Sequence, residues 1–289
     1  MRIWQSTVLA FAALRGFVVA NFGNPYLMTK NNFTGCISSR QNPNILWVAT
    51  LRKPERRREE GFFAIEGRRE VLRALDNNFS VKMIFLINTV SFRAEHIDQV
   101  FRVTPEVFAK ISCRQNPDGI LAVAELPKSF LPVQLPNSAL VLIAEGLEKP
   151  GNLGAIIRTA EAAGCDLVIF ADPLTDPWNP NVIRASQGAI FGQNIACCSN
   201  DEALLFLNKN NIPIVATVPD AQRDYWDAFF SDSLAIAVGN EHHGLSKFWL
   251  KNANLPVRIP MCGDTSDSLN VGIAAALCLY EFRRTHPYK

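Results

Sequence analysis

The chain of 289 residues contains no Cys-x-x-Cys pair, and of its seven cysteines (36, 113, 165, 197, 198, 262 and 278) only two are adjacent. That spacing supplies neither a zinc ribbon nor a disulfide framework. An odd count of thiols in mostly apolar surroundings suits reduced, buried cysteines in a cytosol-like compartment. Histidine is scarce, at four residues, and His242 and His243 are neighbours. Adjacent side chains point apart on most backbones and no further His or Cys is near in sequence, so no metal site is expected. No Gly-x-Gly-x-x-Gly follows the first strand of the C-terminal half, which argues against a Rossmann-type dinucleotide loop. Long apolar runs are also missing: Thr7 to Ala20 is interrupted by Arg15 and is too short to span a bilayer.

Acidic residues are absent before Glu55. With Met1-Arg2 and the apolar run, this opening imitates a secretory signal or an organellar transit peptide. Secretion would part the protein from any intracellular partner. The other reading sets the start at Met28 and treats residues 1–27 as upstream of the true frame. What remains has the composition of a foldable globular protein: 48% hydrophobic, 19% charged, net charge +2. Its length allows two domains, each with a core.

Residues 37–125 read as a small α/β domain. A helix is expected from Pro43 towards Leu51, strands over Phe62–Gly67, Val81–Ile87 and Gly119–Ala124, and helices over Arg68–Leu75 and Pro105–Lys110. Between Arg52 and Gly61 lies a dense basic turn, with Pro54 keeping it from being a plain helix. Its five cations, Arg52, Lys53, Arg56, Arg57 and Arg58, fall within seven residues and suit contact with several phosphates. Glu55, Glu59 and Glu60 also allow a solvated face. Residues 126–138 carry three prolines and read as a stiff linker. Residues 139–289 then alternate strands (139–145, 166–171, 212–217, 233–239, 255–259) with helices (about 152–164, 181–190, 201–210, 245–252, 268–284). Such alternation predicts a parallel sheet covered on both faces. Residues 1–36 are expected to be a poorly ordered extension.

Three stretches of this second half combine a strand, a Gly-bearing loop and a helix. In the first, Pro150 and Gly151 break the chain, Asn152 is expected to cap a helix, and Arg158 follows six residues later. In the second, the apolar run 234–238 ends in Gly239-Asn240-Glu241 and continues to Gly244-Leu245-Ser246. In the third, Ile259-Pro260-Met261 leads through Gly263 to Ser268-Leu269-Asn270 at the mouth of an apolar helix, with Ser268 and Asn270 both placed to cap it. In this order the stretches resemble the three motifs of the SpoU (TrmH) RNA methyltransferases of the SPOUT class, over roughly residues 137–284. Phe63-Ala-Ile-Glu66-Gly67 and the segment around Asn116-Pro117-Asp118-Gly119 resemble the family's N-terminal substrate-binding domain, itself similar to ribosomal proteins that grip folded RNA.

The resemblance implies a C-terminal trefoil knot, S-adenosylmethionine as cofactor, a homodimer, and methyl transfer to a ribose 2′-hydroxyl. Ribosomal RNA is the expected substrate because of the separate N-terminal domain. Transfer RNA, or an RNA-binding protein that keeps the fold without turnover, are the alternatives. Carried over by position, Gly239, Ile259 and Leu269 hold the cofactor. Arg158 activates the hydroxyl by its charge, Asn152 and Asn270 orient loops and substrate, Glu241 holds an arginine, and Ser268 lies near the target phosphate. Arg184, in Asn179-Pro180…Arg184-Ala-Ser186, faces RNA together with the basic run. Two departures stand out: Gly272 replaces the usual Ser after Asn270-Val271, removing a hydroxyl near the cofactor pocket, and the loop 263–268 is one residue longer than usual. The expected place of work is the cytoplasm, or an organelle if residues 1–27 are a transit segment, with no membrane involved.

Overall fold

The computed structural model describes residues 33–92, 97–128, 131–228, 230–263, 265 and 268–287. The expectations for residues 1–27 and for part of the loop 263–268 lie outside them. Among the described residues no helix is long and apolar enough to cross a membrane.

The N-terminal half builds a mixed sheet from β1 (Gly35–Ile37), β2 (Phe62–Glu66), β3 (Val81–Ile87), β4 (Gln99–Val103) and β5 (Ile120–Glu125), in the order β1-β4-β3-β5-β2. The order begins at β1, so the ordered domain starts ahead of residue 37: the Thr34 amide donates to the Val100 carbonyl at 2.9 Å. Four helices accompany the sheet: α1 (Pro43–Thr50), α2 (Pro54–Glu60), α3 (Arg68–Asp76) and α4 (Pro105–Ile111). The expected basic turn is in fact the helix α2. Proline stands at its first turn, where a missing N–H costs nothing, and Gly61 closes it in the left-handed region at φ 72°. Pro54 therefore starts this helix instead of preventing it.

The C-terminal half holds six strands, β6 (Leu140–Glu145), β7 (Leu167–Ala171), β8 (Ile195–Cys198), β9 (Ile214–Thr217), β10 (Leu234–Val238) and β11 (Leu255–Val257), in the order β11-β9-β10-β6-β7-β8. Every pairing is parallel. The central strands β6, β7 and β10 are buried at every residue, as a sheet covered on both faces requires. Around them lie α5 (Pro150–Ala162), α6 (Pro180–Ala185), α7 (Asn200–Lys209), α8 (Lys247–Asn252) and α9 (Val271–Thr285). The helix expected over 181–190 stops after Ala185 because Gln187 and Gly188 turn left-handed, at φ 55° and 83°.

The two halves share one core. Phe63 and Phe79 from the first meet Trp178 and Phe191 from the second, with ring centroids 5.0 Å apart for Phe63–Trp178 and 4.9 Å for Phe79–Phe191. Arg57 crosses the same seam: its Nε donates to Asp176 Oδ2 at 2.8 Å.

Candidate active site

Because the second sheet is parallel, all its strands deliver their C-terminal loops to one end, where ligands of open α/β sheets bind. The loops after β9, β10 and β11 and the start of α9 enclose a cleft of about 720 Å³ there. Its walls include Val218, Asp220, Gly239, Glu241, Leu245, Ile259, Ser268 and Leu269. The three positions expected to hold the cofactor, Gly239, Ile259 and Leu269, thus share one cavity, of a size suited to a nucleoside-bearing ligand.

The loop after β10 is a tight hairpin. The Asn240 amide donates to the Gly244 carbonyl at 3.0 Å and the Gly244 amide returns to the Asn240 carbonyl at 2.9 Å. A Cβ on Gly239 would lie 2.1 Å from the Gly244 carbonyl carbon, so only glycine lets the hairpin fold this closely over the cleft. The Asn240 side chain ties the turn down, donating through Nδ2 to the Gly146 carbonyl at 2.7 Å and accepting from the His242 amide at 2.8 Å. Beneath it, the buried carboxylate of Glu145 accepts from the Ser246 amide (2.7 Å) and from Asn200 Nδ2 (3.0 Å). Trp249 Nε1 in turn donates to Asn200 Oδ1 at 2.6 Å. Sequence reading passed over Asn240, Glu145, Asn200 and Trp249. The available signal was a lone acid ending an otherwise apolar strand, which must find donors once buried.

Asn152, Glu241 and Asn270 come from three different loops and meet in a row. Asn152 Nδ2 donates to Glu241 Oε1, and Asn270 Nδ2 donates to Asn152 Oδ1 at 3.0 Å. Asn152 is not the cap expected of it. Lys149 precedes α5 and Pro150 opens it, which leaves the Asn152 side chain free for this row. Asn270, not Ser268, caps α9, accepting from the Gly272 amide at 2.9 Å. Ser268 is exposed on the cleft wall instead. Glu241 Oε2 is buried and has no partner among the described residues. An anionic oxygen left in that state calls for a cation or donor from outside.

Arg158 does not border the cleft. Six residues along a helix rotate it about 240° from Asn152 and carry it about 9 Å along the axis. It stands exposed on α5 and makes no ion pair or side-chain hydrogen bond to a described residue. Its neighbours Ala155 and Thr159 line a second depression, a groove of about 540 Å³ between α5 and α9. Asn270, Ile273 and Tyr280 line it too, and Ile273 and Tyr280 are 53% and 52% exposed. Gly272 faces this groove, not the cofactor cleft. The hydroxyl missing there is therefore no loss to the cleft.

The basic run divides. Arg57 is fully buried, so it cannot hold RNA backbone as expected; helical phase turns it inward. Its fork is taken by Asp176 and by the carbonyls of Leu51 and Arg52, at 2.8 and 2.9 Å from Nη1. Arg52 is exposed but donates to the Lys110 and Ser112 carbonyls at 2.9 and 2.5 Å. Arg56 pairs with Glu59 at 2.7 Å, an exposed contact of little energetic weight. Lys53, Arg58 and, in the second half, Arg184 are exposed. The residues present suit a sulfonium cofactor: the cleft pairs apolar walls with the unpartnered Glu241 oxygen and with Asp220. Among the described residues no cluster of His, Cys, Asp and Glu could hold a metal.

Comparison with known proteins agrees with this fold. Residues 139–280 match the SpoU rRNA Methylase family, and residues 42–122 match the MRM3-like substrate binding domain. A tRNA/rRNA methyltransferase of Synechocystis is 31% identical over 86% of this chain and 93% of its own length. The 23S rRNA guanosine 2′-O-methyltransferase RlmP of Bacillus subtilis is 28% identical over 86% of this chain and 98% of its own. Among solved structures, an RNA 2′-O ribose methyltransferase is 40% identical and superposes with a TM-score of 0.78 over 88% of this chain and all of its own. AviRb of Streptomyces viridochromogenes, solved with AdoMet, gives 0.80 at 25% identity, over 85% of this chain and 98% of its own. From the ordered motifs, the two-domain fold and these relatives together, the chain belongs to the SpoU family of RNA methyltransferases.

Proposed function

We propose that this chain transfers the methyl group of S-adenosylmethionine to a ribose 2′-hydroxyl of RNA, with ribosomal RNA as the substrate and the cytoplasm as the place of work. The observation that carries this reading is the convergence of three separate loops on one cleft, edged by the row Glu241–Asn152–Asn270. When bound, S-adenosylmethionine supplies an electrophilic methyl group. Gly239, Ile259 and Leu269 would hold it. In this reading the trefoil knot implied by the family threads the segment that carries these loops.

The hydroxyl must lose its proton as its oxygen attacks. A guanidinium has donors and no acceptor, so Arg158 acts by charge, stabilising the developing oxyanion and gripping the neighbouring phosphate. The proton leaves to phosphate or water. Arg158 lies beside the α5–α9 groove and the Glu241 oxygen lacks a donor among the described residues, so we place the groove at a homodimer interface where Arg158 of a second copy completes the cleft. Lys53, Arg58 and Arg184 are exposed cations able to meet RNA backbone, and Ser268 lies where a target phosphate would pass.

The test incubates the protein with labelled S-adenosylmethionine and, separately, unmodified ribosomal and transfer RNA. Label in ribosomal RNA, at one linkage resistant to alkali, is the expected result; label in transfer RNA alone, or on a base, overturns the substrate or the chemistry. Mixing Arg158→Ala with Gly239→Ala subunits should restore about a quarter of the sites if each cleft borrows its arginine across a twofold interface. No recovery on mixing would place Arg158 in the service of its own subunit.

A further inference from the structure

The helix α6 is held at both ends by arginines of the N-terminal domain. Before it, Arg57 Nη2 and Nε reach Asp176 Oδ2 at 2.6 and 2.8 Å, while Asp176 Oδ1 accepts from the Trp178 amide at 2.8 Å. After it, Arg73 Nη1 donates to the Gln187 carbonyl at 2.9 Å and Arg69 Nη1 to Gln187 Oε1 at 3.1 Å. A Cβ on the neighbouring Gly188 would come within 2.9 Å of the Arg73 side chain. The aromatic cluster between these anchors supplies adhesion, but apolar contact has little directional preference. The guanidinium forks supply direction.

A buried ion pair is a poor way to gain stability, since burying both charges costs about as much as their attraction returns. Its geometric specificity is the more useful property here. From α6 the constraint passes onward with little slack. A Cβ on Gly154 would come within 2.4 Å of Ala185 Cβ and 2.7 Å of the Ser186 amide, so α5 and α6 touch almost backbone to backbone. α5 carries Asn152, which is tied to Glu241 and Asn270. α6 also presents the exposed Arg184 beside the seam. There the exposed Cys113 lies within the electrostatic reach of Arg52 from one domain and of Arg184 from the other.

We propose that Arg57 is a positioning residue that, with Arg69 and Arg73, locks the N-terminal domain onto α6. The two domains then grip RNA as one rigid surface, and the fixed offset between that grip and the methyl-transfer cleft selects which nucleotide is modified. This rests on the RNA methyltransferase reading above.

The test is the full chain carrying R57M and D176N together. The pair loses its charge without stranding a buried ion, and the amide oxygen introduced by D176N keeps an acceptor for the Trp178 amide. Arg57→Lys, which keeps the charge and loses the fork, is the second variant should the double one fail to fold. S-adenosylmethionine binding should stay within about twofold of the unaltered chain, since the cleft and the lock share no partners. Methyl transfer at saturating RNA should fall about 100-fold, and the residual methyl should spread to nucleotides flanking the target. Methyl still confined to the single original nucleotide, at whatever turnover, would overturn the proposal, because a purely structural role lowers the folded fraction without moving the methyl. Hydrogen exchange of residues 62–66 and 176–188 is the second readout: faster exchange in the variant supports the lock and unchanged exchange refutes it. Should the unaltered chain methylate no RNA, the functional reading fails and hydrogen exchange alone decides the lock.

Discussion

Replacing Gly239 by Ala tests the proposed cofactor cleft at its tightest point. The added Cβ would meet the Gly244 carbonyl carbon at 2.1 Å, the Leu245 amide nitrogen at 2.2 Å and the Gly244 oxygen at 2.3 Å. All three are backbone atoms, so no side chain can swing aside. Restoring ordinary contact, about 3.5 Å or more between carbons, moves the hairpin by over about 1 Å. That movement breaks the paired Asn240–Gly244 hydrogen bonds, now 3.0 and 2.9 Å, each worth about 0.5–1.5 kcal/mol net. Overpacking adds about 1–3 kcal/mol. Together these give about 2–6 kcal/mol of distortion, located in the wall where the ligand sits. With about 1.4 kcal/mol per factor of ten, even the lower end weakens S-adenosylmethionine binding by more than tenfold. Titration calorimetry with the cofactor reads the affinity, and a thermal melt without it reads the stability. A Gly239→Ala protein that binds within twofold of the original and melts at the same temperature would refute both the closeness of the hairpin and its place in the cleft.

Asn270→Ala removes both the cap of α9 and the donor to Asn152. It should cost about 1 kcal/mol in chemical denaturation and lower single-turnover methyl transfer more than cofactor affinity. Trp178→Ala empties the centre of the interdomain aromatic cluster and should destabilise the protein by about 3–5 kcal/mol in the same measurement. Burial pushes the Cys165 and Cys278 thiols up to about 12 and that of Cys198 to about 11. A raised thiol pKa keeps the neutral form below it, so at pH 8 the thiolate share of Cys165 and Cys278 is about 10⁻⁴. Timed alkylation with mass spectrometry should mark the exposed Cys36 and Cys262 long before those two. Early labelling of Cys278 would mean that α9 opens from the core.

The strands most plainly legible in sequence are those whose burial is complete. β6, β7 and β10 are apolar at nearly every position, a pattern that a covered parallel sheet produces and an exposed one does not. Those that escaped, β1, β4 and β8, lie at or next to a sheet edge. Gln99–Val103 mixes polar and apolar residues, with Gln99 and Arg102 only part-buried. The break after α6 escaped for another reason. Gln187 adopts a left-handed conformation at φ 55° through its bonds to Arg69 and Arg73, which lie more than a hundred residues away in sequence. No local propensity carries that information.

The two kinds of site residue were legible to different degrees because they answer to different constraints. Gly239, Asn152 and Asn270 are tied to backbone: a hairpin with no room for Cβ, a side chain freed by a proline start, a helix cap. Such requirements recur wherever the loop recurs, so a motif in sequence carries over to a place in space. A cation carries no such mark. Arg56, Arg57 and Arg58 are consecutive, yet one is paired with an acid, one is sealed in the core and one is exposed. What separates them is the 100° step between successive residues of a helix, together with the Pro54 start that sets where the count begins. The same step turns Arg158 away from Asn152 and leaves it exposed. The orphaned Glu241 oxygen and the exposed Arg158 are the two groups that the proposed twofold arrangement would bring together.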